Sequence, residues 1–305
     1  MMSNETTLVM EPPSLPARAA DSHKGDYGRV LIVAGSRGMA GAACLAGVAA
    51  LRGGAGLVRV ATAEGVCGIV AAYEPSYLTW PLTEDKDGRI AAKALAEITD
   101  LAQSTNVLAI GPGLGQGPSV SQIVTSLLAS VHKPTVIDAD AINALGGRPE
   151  HLDALGRRAI VTPHPGEFAR LVGAEIETVQ ANRVELAVEF SQRHHTITVL
   201  KGHGSVVTDG ERVYINRTGN AGMATGGSGD VLTGLIAALA AQGLSVFDAA
   251  VLAVHVHGLA GDLAARELGQ TAVIASDVVK YLPAALRTVE RTDRAVPPIE
   301  EAALP

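Results

Sequence analysis

Val30-Leu31-Ile32-Val33-Ala34 leads into Gly35-Ser36-Arg37-Gly38-Met39-Ala40-Gly41, and an Ala/Leu-rich stretch, residues 42–51, follows. The first five residues carry no polar side chain. A strand with one face in water alternates, so an unbroken apolar run reads as a strand buried on both faces. Residues 42–51 read as a helix, and residues 56–61 as the next strand. Strand, glycine loop, helix and strand in that order make a parallel crossover unit.

The same alternation continues outward. Helical stretches are expected over residues 91–102, 120–131, 166–172, 179–194, 229–242, 246–267 and 275–289. Strands are expected over 107–110, 135–138, 159–162 and 196–201. Residues 205–208 and 212–215 flank Asp209-Gly210, a hairpin signal. The pattern predicts an α/β fold with a mostly parallel central sheet and helices on both faces, binding ligands beyond the carboxyl ends of its strands. Residues 1–22 read as a flexible arm, 23–290 as a single domain and 291–305 as a flexible tail.

Composition narrows the function classes. Of 305 residues, 47% are hydrophobic and only 3% aromatic, so the core is built from small aliphatic side chains. A net charge of -7 argues against nucleic acid as a partner. It leaves nucleotides open, because backbone amides bind phosphate without side-chain charge. Cys44 and Cys67 form no C-x-x-C pair, as expected of thiols in a reducing compartment. The first 21 residues lack a signal-peptide pattern, and no apolar stretch is read as approaching the ~20 residues of a membrane span. The expectation is a cytoplasmic protein with no membrane partner.

Glycine-rich segments gather where strands end. Thr225-Gly226-Gly227-Ser228-Gly229-Asp230 precedes an apolar helical stretch. Small residues there leave the amides of Gly226, Gly227, Ser228 and Gly229 uncovered at a helix N-terminus, where the dipole also favours an anion. Such a nest suits the charge gathered by a transferring phosphoryl group, and Asp230 in the first turn is placed to take a proton from a hydroxyl. No G-K-[ST] follows, so this is not a Walker loop. Thr162-Pro163-His164-Pro165-Gly166-Glu167 offers His164 to a substrate and Glu167 to a Mg²⁺-bound water. Lys201-Gly202-His203-Gly204-Ser205 joins exposed backbone to a lysine that can meet phosphate. Gly111-Pro112-Gly113-Leu114-Gly115 and Asp138-Ala139-Asp140 also follow strands. The Gly35–Gly41 loop loosely matches a dinucleotide fingerprint, but no acid ends the following strand to hold a ribose. His255 and His257 are read as structural.

Taken together, these stretches and Asn220-x-Gly222-Met223-Ala224-Thr225 resemble the ADP-dependent NAD(P)H-hydrate dehydratases, a branch of the ribokinase-like superfamily. The resemblance covers most of the chain, from Ser22 to about Tyr281, with Ala221 where many relatives have proline. It implies a ribokinase-like three-layer sandwich and, as substrate, the S epimer of hydrated NADH or NADPH. It implies that Ala42 or Ala43, Gly113, His164 and Asp230 contact the hydrate. Lys201, Gly202, His203, Gly204, Ser205 and Gly229 would contact ADP, the phosphoryl donor. It further implies Mg²⁺, a homotetramer and a separate epimerase acting on the same metabolite. A small-molecule kinase of the same fold, which leaves a stable phosphate ester, is the alternative reading.

Overall fold

The computed structural model describes residues 6–290. Ten strands form one sheet: β1 (Thr7–Val9), β2 (Arg29–Val33), β3 (Leu57–Ala63), β4 (Leu78–Leu82), β5 (Val107–Ile110), β6 (Thr135–Ile137), β7 (Ala159–Val161), β8 (Ile197–Leu200), β9 (Val206–Thr208) and β10 (Arg212–Ile215). Their order is β1-β10-β9-β8-β7-β6-β5-β2-β3-β4. All pairings are parallel except those of β9 with β8 and β10. The helices are α1 (Ala40–Arg52), α2 (Glu64–Tyr73), α3 (Leu95–Gln103), α4 (Pro118–Ser130), α5 (Asp140–Ala144), α6 (Pro165–Val172), α7 (Ile176–Ala181), α8 (Arg183–His194), α9 (Ser228–Ala241), α10 (Val246–Leu268) and α11 (Ala275–Leu286).

The central strands are buried on both faces, and the reason is in their side chains. Val30 and Ile32 belong to one apolar cluster, with α1, α9, α10 and α11. Leu31 and Val33 belong to a second, with α3, α4, α6 and α8. The period-two direction of strand side chains thus sends alternate residues of one apolar run into separate cores. The three-layer α/β sandwich expected from the sequence is what forms.

Several elements differ from the sequence reading. Thr7–Val9, inside the segment expected to be a loose arm, pairs in register with Arg212–Tyr214. Further on, Leu15 is buried and Arg18 donates to the Gly54 carbonyl at 2.6 Å. The expected tail, residues 291–305, lies outside the described residues. The single helix expected over 179–194 is broken at Asn182, whose side chain donates to the Thr178 carbonyl while its backbone leaves the helical region. Finally, α10 is 23 residues long and holds an 18-residue stretch with a mean hydropathy of 1.3, which meets the length and composition of a membrane span. The sequence reading overlooked it because His255, His257, Asp262 and Arg266 interrupt its apolar look. Much of the helix is buried within the protein against α9 and α11.

Candidate active site

Three strand ends and one helix start converge. Asp138 follows β6, Lys201 follows β8, and Thr162 follows β7; α9 begins at Ser228. Parallel strands side by side deliver the residues that follow them to the same edge of the sheet. Gly227, the N-cap of α9, sits at φ 91°, and no side chain caps the helix. The first-turn amides are therefore left to an incoming anion. The loop of Thr225, Gly226, Gly227, Ser228 and Gly229 is at least partly open to solvent. The positive φ is what calls for glycine here; an added Cβ would also meet the Leu45 Cδ1 at 2.5 Å, a side-chain end that can turn aside.

Asp230 lies in this first turn. Burial pushes its pKa up to about 7; Asp138 and then Asp140 add to the rise, and Lys201 opposes it. A carboxylate so tuned is half-ionised near neutral pH, the range in which a general base works best. Lys201 is the local cation. Its Nζ donates to Asp138 Oδ1 at 2.7 Å and lies 4.0 Å from Glu167 Oε2. Burial alone would lower the Lys201 pKa; Asp138, Glu167 and Asp230 more than offset this and hold it above its ordinary value. A methyl group on Gly229 would come within 3.2 Å of that Nζ, so the ammonium stands directly against the helix start.

A cavity of about 640 Å³ opens beside this helix start. Lys201, Gly202, His203, Gly204, Ser205, Ser228 and Gly229 line one side. Leu232, Met223 and Val254 give it an apolar wall, and Asn216, Thr218 and Asn220 add polar groups. An apolar slot leading to bare amides and an ammonium has the chemistry to take a flat base and the phosphates of a nucleotide.

The structure thus unites the residues expected to bind nucleotide. His164 stands at the rim of the same cavity, where its ring caps α6. Nδ1 accepts from the Gly166 and Glu167 amides at 3.0 and 3.2 Å, which assigns the proton to Nε2. Glu167 completes the capping box by accepting from the His164 amide at 2.9 Å. Its carboxylate is almost wholly buried, and no cluster of three metal-ligating side chains occurs among the described residues. The donor set accordingly fits a Mg²⁺ carried in by phosphates and water rather than one held in a protein cage. Gly113 packs against Met39 and Ala42 at φ 61°. Ala42 stays partly exposed, whereas Ala43 is sealed in the core behind Gly35. Of the two alanines expected to touch substrate, only Ala42 is accessible.

Sequence reasoning missed the far wall. His257, read as structural, lines the cavity and bonds the Ser228 carbonyl through Nε2 at 3.0 Å. Burial, first of all, drives its pKa down to about 4, so the ring is neutral. His255 does keep a purely structural contact, with the Tyr214 hydroxyl at 3.2 Å. Asn216 and Thr218 carried no signal beyond following a strand. Asp262 anchors their loop by accepting from the Gly219 amide and the Asn220 side chain, each at 2.9 Å.

Comparison with known proteins agrees with this geometry. A family profile of the NAD(P)H-hydrate dehydratases matches residues 30–284. A bifunctional NAD(P)H-hydrate repair enzyme of Moorella thermoacetica is 47% identical over 278 residues, 90% of this chain and 52% of that protein. The Escherichia coli enzyme of the same description is 40% identical over 88% of this chain and 49% of its own length. The chain thus spans about half the length of the curated relatives it matches. An ADP/ATP-dependent NAD(P)H-hydrate dehydratase from Bacillus subtilis, co-crystallised with ATP/Mg²⁺, is 32% identical, covers 92% of this chain and 100% of its own, and superposes with a TM-score of 0.77. A hydroxyethylthiazole kinase from Pyrococcus horikoshii, 15% identical with a TM-score of 0.53 over 88% of this chain and 91% of its own, shares the fold alone. With the profile spanning residues 30–284 and these relatives agreeing, the chain belongs to the NAD(P)H-hydrate dehydratase family.

Proposed function

We propose that this protein dehydrates the S epimer of hydrated NADH and NADPH at the expense of ADP, yielding NAD(P)H, AMP and phosphate. The observation that carries the reading is a carboxyl group, Asp230, tuned to about 7 two residues into an uncapped helix start that borders a nucleotide-sized cavity. ADP would occupy the cavity through Lys201, Gly202, His203, Gly204, Ser205 and Gly229. The hydrate would approach from the side of Ala42, Gly113 and His164.

Asp230 takes the proton of the C6 hydroxyl as its oxygen bonds the terminal phosphorus of ADP and the anhydride bond breaks to release AMP. The amides of Gly226, Gly227, Ser228 and Gly229 hold the charge on the migrating phosphoryl oxygens, and Lys201 adds a cation. The ring nitrogen pair then expels phosphate, a far better leaving group than hydroxide, and loss of a ring proton restores the dihydropyridine. Glu167 would hold a Mg²⁺ through water, and the ion would supply further neutralisation of charge. Positioning and electrostatics supply most of the acceleration.

The test mixes the protein with hydrated NADH, Mg²⁺ and ADP. Dihydronicotinamide absorbance should return with one phosphate released per molecule. A persistent phosphate ester would instead mark a kinase. Asp230→Asn should lose about 10²–10⁴-fold in kcat, the usual worth of a general base, with ADP affinity kept within about twofold.

Residues 23–290 are proposed as one catalytic domain and the working assembly as a homotetramer in the cytoplasm. The curated relatives are bifunctional NAD(P)H-hydrate repair enzymes. A separate epimerase supplying the S epimer fits that pairing.

A further inference from the structure

Asp138 is a buried carboxylate to which the mechanism above gives no part. Its side chain is 1% exposed, yet it accepts three hydrogen bonds of 2.7 Å: from Thr162 Oγ1, Thr233 Oγ1 and Lys201 Nζ. Thr162 stands at the end of β7, Thr233 lies in the second turn of α9, and Lys201 follows β8. Three separate elements thus tether one carboxylate. The turn that delivers it is strained. Ala139, the next residue, sits at φ 48° without being glycine. The Asp138 carbonyl also lies where a Cβ on Gly111 would be, within 1.8 Å. Non-glycine residues hold such a backbone only where their surroundings over-determine it, and these places gather at functional sites.

We propose that Asp138 is a positioning residue of the reaction: fixed by Thr162 and Thr233, its carboxylate holds the Lys201 ammonium against Gly229 at the start of α9, where phosphoryl oxygens arrive. A lysine stem has four rotatable bonds and places its charge poorly unless something else fixes it. Without Asp138, the nearest anions left to Lys201 are Glu167, 4.0 Å away, and Asp230. The first would draw the ammonium toward α6, away from the helix start. The second would tie the cation to the base itself. With Asp138 present, neither exchange is favourable, so the cation serves the phosphate and Asp230 stays free for the hydroxyl. Thr233 adds a further consequence. It belongs to the same helix as the anion loop, so the tether fixes Lys201 relative to Gly229 rather than to the protein at large.

This inference rests on the phosphoryl-transfer reading, and its test separates the two. ADP binding is measured by calorimetry with Mg²⁺ present, which does not depend on the hydrate being the substrate. Turnover is measured separately. Asp138→Asn keeps the shape and removes the charge. It should raise the Kd for ADP about tenfold and lower kcat by about 10²-fold, the cost of an ångström of misplacement, while KM for the hydrate stays within twofold. Lys201→Met should do the same, and the double variant should be no worse than Lys201→Met alone, because the carboxylate acts through the lysine. Thr233→Val, which keeps the carboxylate and cuts one tether, should show the same pattern at roughly three- to tenfold and serves if Asp138→Asn does not fold. Wild-type ADP affinity in a folded Asp138→Asn, losses that multiply in the double variant, or a silent Thr233→Val would each overturn the assignment. Failure of the wild type to consume the hydrate, with this ADP pattern intact, would overturn the dehydratase reading and leave the tether standing.

Discussion

Asp230 has a cost that the protein carries in its resting state. A carboxyl group raised from 3.8 to about 7 by burial, with Asp138 and Asp140 adding, binds its proton more tightly folded than unfolded. Between those two values the native state holds more protons than the denatured one, so this group makes stability fall as pH rises through that window. Below about 4 both states are protonated and the effect vanishes. Asp230→Asn should therefore raise the thermal midpoint at pH 8 relative to wild type and leave it nearly unchanged at pH 4. Thermal melts of the two proteins without ligand, at both pH values, check this. Equal shifts at the two pH values would show that the variant acts by packing instead. The same group gives kcat/KM an acid limb. Activity should fall as pH drops below about 7, because the base is then protonated. The first-turn place of Asp230 was legible in the sequence, since small residues and an aspartate ahead of an apolar stretch read as a helix start. His257 was not. A histidine amid alanines and leucines looks the same whether its ring faces a core or a cavity wall, and only the packing of α10 beside α9 decides.

At the scale of elements, the helix that carries the anion loop is held by close approach. Gly234 of α9 faces α1, where an added Cβ would come within 2.0 Å of the Ala46 carbonyl. Backbone atoms cannot yield as a flexible side chain can, so Gly234→Ala must move α9 bodily away from α1. Overpacking of this kind costs about 1–3 kcal/mol, occasionally more, and here the displacement reaches Ser228, Gly229 and Asp230 one to two turns away. The expected outcome is a lower denaturation midpoint together with a loss of turnover larger than the loss of ADP affinity, read by urea titration and steady-state kinetics. The strands that place the site were readable because they are apolar on both faces. β4 escaped because Thr79, Trp80 and Pro81 give an edge strand no such pattern. α2 escaped because Gly65 and Gly68 disguise it. The three-residue β1 is too short to show any period and exists only because β10 offers it an open edge. The break at Asn182 frees Arg183 to donate to the Leu200 and Lys201 carbonyls, a long-range reward that local helix propensity cannot see.

For the whole molecule, the cavity beside α9 is a seam. Its walls come from the β8–β9 turn, the loop after β10, α9 and α10, and that loop is tied down chiefly by Asp262 and by Asn216, which donates to the Thr218 and Val254 carbonyls. A ligand bridging these parts stabilises the fold as a unit, because it binds the native state and not the unfolded chain. At a hundredfold excess over Kd the gain is about 2.7 kcal/mol. Each kcal/mol moves the midpoint of a large domain by roughly 2–4 °C, so ADP with Mg²⁺ should raise the melting temperature by about 5–10 °C. The size of that shift in variants locates the nucleotide. Asp230→Asn should keep it whole, since the proposed mechanism sets Asp230 at the hydroxyl and not at the donor. Lys201→Met should lose much of it. Gly258→Val should abolish it, because even a Cβ at this position in α10 would come within 2.3 Å of Thr218 and push the 216–220 loop across the cavity. A full ADP shift in Gly258→Val would place the nucleotide elsewhere and detach the cavity from the chemistry.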